Sequence, residues 1–406
     1  MCRLMRRPFF LATLEIAGYR FLLLSSVGLS AAFTADSLAT GWLVLQLTDS
    51  PFWLGLVVGV RGVSQLLFSI GGGTIADRTD LRRLLMWSQQ ANALLYVLLC
   101  ALVITGTVQI WFVVVAQVVI GPFVAMNGLA NQALLYEVVG PARLLNARAL
   151  GFLTSSTMRI LAALATGHII ESWGVGPAYA FVAAAYFGSS LCLLPLPSRG
   201  VIHPVGAPLD SLRAGLRYAR RTDRVRELLL LSFTTEVFGF SHTNMVPVMA
   251  RDVLRVGADG LGYLSAMSAA GQLAAMLLLA SLGDPRRKEV LLLVSAFGYG
   301  AAILLFAVSP WFAVSLALML LVGATAGLYD SSIVTVLQMA VSDEMRARVL
   351  GIYVATWGSN QVGSFGLGAL AAIFGAPAAI AAFAVVVAAN ALRLVPKRNL
   401  FDHAVT

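Results

Sequence analysis

Five ionisable side chains, Asp36, Arg61, Arg159, Glu236 and Asp330, stand inside long apolar stretches of this 406-residue chain. A charge at bilayer depth costs at least about 2.5–3.5 kcal/mol, so each needs a partner or a wet cavity. A desolvated carboxylate has a further chemistry open to it, the uptake and release of a proton. Asp36 and Arg61 carry opposite charges on consecutive apolar stretches, each about ten residues, or about 15 Å of helix, from the intervening loop. Their equal depth predicts an ion pair. A pair that only ties two helices together and a pair that titrates or touches a substrate both fit this placement.

The elements that must position these groups follow from composition. The chain is 59% hydrophobic and 12% charged, with a mean hydropathy of +0.85, whereas soluble domains carry about 25% charge. Apolar windows fall at 21–46, 51–76, 84–105, 108–133, 145–170 and 174–196, then at 227–250, 260–282, 288–308, 311–337, 349–373 and 377–395. Each is long enough to cross a bilayer as a helix. Twelve windows predict an all-α polytopic protein whose ends share one side. With both ends inside, the inner segments hold 24 Lys and Arg and the outer loops only Arg251 and Arg255, which predicts cytoplasmic termini. The net charge of +9 is then a property of the inner face and not a nucleic-acid footprint. The expected organisation is a cytoplasmic lead with an interfacial helix over 1–20, a six-helix bundle over 21–196, a cytoplasmic linker over 197–226, a second bundle over 227–395 and a tail over 396–406. In the linker, Leu209, Leu212, Leu216 and Val225 alternate with Arg213, Arg217, Arg220, Arg221 and Arg224, the pattern of an amphipathic helix on an anionic surface.

Other chemistries find no support. Cys2, Cys100 and Cys192 have no pairing or ligand spacing, and His168, His203, His242 and His403 are scattered, so neither a metal nor a cofactor is expected. Neither GxSxG, HExxH nor GxxxxGK[ST] occurs, which argues against an enzyme and against ATP hydrolysis. Polar residues within the windows are candidates for a cavity wall, among them Gln65, Asn127, His242 and Asn360. Trp357, nearer the interior of its window than the other tryptophans, is another. Span eleven carries Gly358, Gly363, Gly366 and Gly368, small residues that allow close helix packing.

The two sets of six windows echo each other. At an offset of 207 residues Gly55 falls on Gly262, Gln65 on Gln272 and Asp77 on Asp284. At 200, Arg148-Ala-Leu-Gly151 falls on Arg348-Val-Leu-Gly351. Ordered matches of this kind predict a duplicated six-helix unit. The loop between windows two and three reads Gly73-Thr74-Ile75-Ala76-Asp77-Arg78-Thr79-Asp80-Leu81-Arg82-Arg83. It resembles the signature of the major facilitator superfamily, with Asp80 where glycine is usual and Leu81 where a basic residue is usual. The preceding Thr40–Gly72 is similar in cadence to the bacterial exporters that include enterobactin efflux proteins.

This resemblance implies a gate on the inner side in which Gly73, Asp77, Arg78, Arg82, Arg83 and, in the second half, Asp284 take part. It implies a transporter of the bacterial plasma (inner) membrane working by alternating access. The expected activity is proton-coupled export of a small apolar or amphipathic compound, drug-like or siderophore-like. Proton-coupled uptake of a nutrient and a transporter-like sensor or scaffold are the alternatives. The expected partners are a small-molecule substrate, protons and the lipid bilayer, without nucleic acid, and the expected state is a monomer, because one chain supplies both halves.

Overall fold

The computed structural model describes residues 11–71, 80–197, 208–283 and 287–396, and every regular element in them is helical. A 3-10 turn, Leu11–Glu15, leads into α1 (Ala17–Thr48). Within the described residues the lead forms this one turn and residues 17–20 belong to the first span, while residues 1–10 of the interfacial helix expected over 1–20 lie outside the described residues. Tyr19 explains the difference: it is buried and donates to the Ala147 carbonyl at 2.8 Å, which draws residues 17–20 into the first span. There follow α2 (Pro51–Gly71), α3 (Leu81–Ile104), α4 (Ile110–Val139), α5 (Leu144–Trp173) and α6 (Val175–Leu191). Gly140 and Gly174, with φ of 72° and 85°, end α4 and α5 in the left-handed region that glycine enters without strain. Asp80 starts α3: its carboxylate accepts from the Arg83 amide at 3.1 Å, a side-chain cap at the position where the signature has glycine.

After the linker come α7 (Pro208–Arg221) and α8 (Asp223–Thr234), divided at Thr222. Span seven thus begins four residues earlier than its apolar window, because Val225 and Leu228 are fully buried core residues. α9 (Gly257–Leu282), α10 (Lys288–Val308), α11 (Phe312–Ala340), α12 (Asp343–Thr356), α13 (Ser359–Phe374) and α14 (Ala376–Leu394) complete the chain.

Nine helices among the described residues are long and apolar enough to cross a membrane. The remaining three windows are α6, of 17 residues, and two interrupted spans, so the architecture is consistent with twelve. Span seven passes from α8 into a π turn at Thr235–Gly239, a 3-10 stretch at Phe240–Met245 and a second π turn at Met249–Val253. Pro247 removes a helical donor and crowds the carbonyl four residues back. Side chains take over: Thr243 Oγ1 donates to the Phe240 carbonyl at 2.7 Å and Ser241 Oγ to that of Val237. Span eleven breaks at Trp357-Gly358, between α12 and α13.

The chain divides into two compact units, Met1–Ala39 with Ser64–Pro204, and Thr40–Val63 with Val205–Thr406. In the first, Leu22, Leu81, Leu84, Leu85, Leu134 and Leu193 form a buried cluster, and Tyr96 stacks on Tyr186 and Tyr179 with centroids 5.7 and 5.9 Å apart. In the second, Leu228, Leu292, Tyr329, Ile333, Tyr353 and Leu394 anchor the core. There α9 and α11 cross so closely that a Cβ on Gly271 or Gly323 would overlap the other helix's backbone. Large apolar residues such as Leu94, Trp111, Val294 and Ile373 stay exposed, as lipid-facing positions do.

Candidate functional site

Close long-range packing around a span end lies within the second unit, where the end of α1 and the start of α2 meet spans seven and eleven. Gly55, Gly59 and Gly62 lie at i, i+4 and i+7, on one face of α2. A Cβ on Gly55 would sit 2.5 Å from the Ser364 carbonyl oxygen and 3.0 Å from the Gly368 Cα. Gly59 faces Phe365, and a Cβ on Gly62 would overlap the Gln361 side chain. Phe52 and Phe365 meet edge to face at 5.8 Å, closing the upper end of the seam. On α1, Gly41 faces Pro247 of span seven.

Arg251 fastens this hairpin. Its Nη1 donates to the Leu45 carbonyl at 2.6 Å and to Asp49 Oδ1 at 2.9 Å, while Nε and Nη2 reach Asp252 at 2.6 and 3.2 Å. The guanidinium therefore sits at the C-terminal, negative end of the α1 dipole. Burial works against its charge, but Asp252 and Asp49 more than offset this and hold its pKa above the ordinary value.

Deeper in the same unit, the first π turn of span seven carries Glu236, which is 6% exposed. Asp330 lies on α11 of the same unit. Tyr299, Tyr329 and Tyr353 are buried in this unit as well. His242 Nδ1 lies 2.7 Å from the Gly239 carbonyl and 3.5 Å from Tyr299 Oη, and its Nε2 is buried without a hydrogen-bond partner. The Asn360 backbone carbonyl accepts from Ser241 Oγ and Ser364 Oγ at 3.3 and 2.8 Å. Trp357, at the break in span eleven, is half-exposed and meets the ring of Tyr353 at 5.7 Å.

The first unit holds a different interior. Ser25, Ser189 and Gln89 are hydrogen-bonded to one another, and Ser88 donates to Asn127 at 3.0 Å. Asp36 is fully buried on α1, and Arg159 lies on an exposed face of α5. Arg61 and Gln65, half-buried one turn apart on α2, fall on either side of the division, Arg61 with the second unit and Gln65 with the first. Asp36 and Arg61 likewise belong to different units, so their pairing stays a matter for proposal. Arg82 donates to the Leu193 and Leu194 carbonyls at 2.9 and 2.6 Å, capping the end of span six, and Arg83 is exposed. The expected gate residues Gly73, Asp77, Arg78 and Asp284 lie outside the described residues. Arg251 and the α2 glycines were not singled out from sequence, although the small-residue spacing at 55, 59 and 62 was there to be read.

Long lipid-facing helices, two broken spans and a glycine seam between span ends define a membrane transporter of the major facilitator superfamily. Relatives of this kind move small-molecule solutes and are not enzymes. The chain belongs to the transmembrane secretion effector family, whose model matches residues 10–402. It is 24% identical to an enterobactin exporter of Shigella flexneri over 332 residues, 81% of this chain and 79% of that protein. The enterobactin exporter of Shigella boydii is 25% identical over the same shares. Among solved structures, a mutant of the nucleoside transporter NupG superposes with a TM-score of 0.76 at 13% identity, covering 95% of this chain and 100% of that one. A bacterial homologue of the human lysosomal transporter Spinster, inward-facing and unoccupied, gives 0.67 at 14% identity over 97% and 96%. These likenesses carry the fold alone.

Proposed function

We propose that this protein exports a small apolar or amphipathic compound across the bacterial plasma membrane by proton-coupled alternating access. It acts as a monomer with both termini in the cytoplasm. The observation that carries the reading is the seam of Gly55, Gly59 and Gly62 on span eleven, fastened by Arg251 to the end of α1. Glycine surfaces in backbone contact are flat enough to part and rejoin as a unit, and a charged latch on a solvent-exposed rim opens at low cost. In this reading the seam is the outer gate, closed while substrate loads from inside and open for release. The likeness to enterobactin exporters supports the direction, and the many Phe, Leu and Ala side chains support an apolar or amphipathic cargo.

The inner gate is assigned to Gly73, Asp77, Arg78, Arg82, Arg83 and Asp284, and Asp36 with Arg61 to an intramembrane pair that responds to substrate. Gln65, Asn127, Arg159, His242, Trp357 and Asn360 are proposed to line the path. Reconstituted protein under an imposed pH gradient, with a lipophilic fluorescent dye as probe, tests the proposal. Dye accumulation in inside-out vesicles driven by an acidic interior is expected. Dye movement in the same direction as the proton flow would instead make the protein a symporter, and no movement under any gradient would leave a sensor or scaffold.

A further inference from the structure

We propose that the exposed face of α7, carrying Arg217, Arg220 and Arg221, is a docking surface for anionic lipid headgroups. The inference goes beyond the export reading above and does not depend on it.

α7 has two faces of opposite character. Gly215 and Ala219, one turn apart, are buried. A Cβ on Gly215 would stand 2.9 Å from Ile352 Cδ1 and 3.2 Å from the Arg348 carbonyl oxygen of α12, and Tyr218 and Ile352 pack against the core cluster that contains Ala219 and Val349. The helix is therefore seated on the start of span eleven. Arg217, Arg220 and Arg221, at i, i+3 and i+4, share the opposite face and are exposed. Leu216, 42% exposed, lies at the edge of that face.

This seating changes what the helix can do at a membrane. The sequence pattern predicts an apolar face laid into lipid, but Val225 falls beyond the end of α7 and is fully buried in the core, and Gly215 and Ala219 are spent on protein. What remains for a partner is charge. Among the described residues none of the three arginines is in an ion pair, whereas Arg226 meets Asp223 at 2.9 Å and Arg346 meets Asp343 at 2.6 Å. No Asp or Glu occurs from Ser211 to Thr222. The helix dipole favours Arg220 and Arg221 in the last turn, which leaves Arg217 unexplained. Like charges at this spacing repel one another, and an external anion relieves the repulsion.

Position selects the anion. After Thr222 the chain runs directly into α8, the first part of span seven, and the docked face rests on the start of span eleven. The basic face thus stands where two spans enter the bilayer, at the level of the headgroup phosphates, and a basic cluster beside a span end attracts them. The exposed Leu216 suits the apolar edge of that layer better than water. Tyr218, the one aromatic residue of α7, packs on the core, which leaves no ring on the basic face to stack on a nucleobase.

The test uses full-length protein in non-ionic detergent micelles, with Cys2, Cys100 and Cys192 replaced by alanine and an environment-sensitive fluorophore on Leu216→Cys. Phosphatidylglycerol or phosphatidylcholine is titrated into the micelles. Phosphatidylglycerol is expected to shift the emission to saturation and phosphatidylcholine is not. The midpoint should rise about fivefold for each of R217Q, R220Q and R221Q, and R217K/R220K/R221K, which keeps the charge, should restore it. An equal response to phosphatidylcholine, or a midpoint unmoved in R217Q/R220Q/R221Q, would overturn the proposal. So would displacement of phosphatidylglycerol by inorganic phosphate or a single-stranded oligonucleotide at equal phosphate concentration, which would assign the face to a soluble anion. All three positions are exposed, so the variants are expected to unfold at the wild-type denaturant midpoint.

Dye flux keeps this inference apart from the export reading. A phosphatidylglycerol response with no pH-driven dye movement leaves the surface standing and removes export. Dye movement by a protein blind to phosphatidylglycerol removes the surface and leaves export.

Discussion

Glu227 and Glu236 lie nine residues apart on span seven, and both are buried, at 3% and 6% exposure. Glu227, near the start of the span, meets Arg393 of α14 at 2.6 Å. Glu236 lies deeper in the span, on the π turn. One end of the span has its charge neutralised by a fixed partner, and the other carries a buried acid that shows no ion pair among the described residues. A fixed pair contributes to holding spans seven and twelve together. A buried carboxylate with no such pair adds nothing to cohesion while it is charged. The first unit strengthens the contrast, since its buried hydrogen bonds among Ser25, Gln89, Ser88, Asn127 and Ser189 join neutral groups.

The strongest way to break this comparison is Arg393→Ala. It withdraws the Arg393 guanidinium from the buried Glu227 carboxylate, and removal of one partner of a buried pair is expected to cost about 3 kcal/mol. Glu227→Gln should cost less, about 1 kcal/mol, because the half-exposed Arg393 can turn to water. The double variant Glu227→Gln/Arg393→Ala should recover most of the larger loss. Chemical unfolding in detergent micelles reads all three. Equal costs for the two single variants would mean that Glu227 is not the dependent partner, and the distinction from Glu236 would lose its basis.

Next in size is the glycine seam of α2 on span eleven. Gly55→Val introduces a side chain whose Cβ alone would stand 2.5 Å from a backbone oxygen of span eleven, and backbone cannot step aside as a flexible side chain would. Overpacking at such a contact costs about 1–3 kcal/mol, here charged to the closed seam. Dye export is expected to fall by about fivefold to a hundredfold, as follows from that cost, with the protein still folded and a cysteine at Asn360 newly open to impermeant reagents added on the side of the seam. Gly128→Val, with nothing within 4 Å of its Cβ, is the control and should export normally.

How much of this was legible beforehand depends on the range of the signal. The apolar windows gave the spans because hydropathy is local and the chain must satisfy its backbone inside each span. The breaks in spans seven and eleven were missed, although Gly239, Pro247 and Gly358 stand in the sequence, because a long window averages over them. Asp80 was read as a departure from a glycine position, and the structure shows why it is tolerated, as the cap of α3. The contact of Glu227 with Arg393, 166 positions apart, has no trace in any spacing rule. Arg251 was counted only as one of two outer-loop charges, because a charge count cannot register which carbonyl a guanidinium reaches.

A smaller effect tests whether the neutral hydrogen-bond cluster of the first unit is only structural. Ser189→Ala removes the donor to the Ser25 carbonyl at 2.7 Å and the contact with Ser25 Oγ at 3.0 Å. Loss of a neutral hydrogen bond costs about 1 kcal/mol. Unfolding should register that loss, while the pH profile of dye export keeps the wild-type shape. A displaced profile would mean that protonation is read in both units, and the division of labour drawn from Glu227 and Glu236 would fail.

The smallest effect expected is at the latch. Asp49 is an exposed partner, with 85% of its side chain in solvent, against 22% for Arg251. An ion pair on such a rim contributes about 0.2–1 kcal/mol and is screened by salt. Asp49→Asn should therefore leave stability nearly unchanged and weaken with added salt only what the wild type also loses. Arg251→Ala goes further, because it also withdraws the donor from the Leu45 carbonyl at the end of α1, a charge-assisted bond that salt screens less. Under alternating access both variants favour the open seam, Arg251→Ala more than Asp49→Asn. Impermeant labelling of a cysteine at Asn360 ranks them. Asp49→Asn matching or exceeding Arg251→Ala would shift the latch from the carbonyl to the ion pair, and Arg251 would then resemble Arg393 in having an acid as its essential partner.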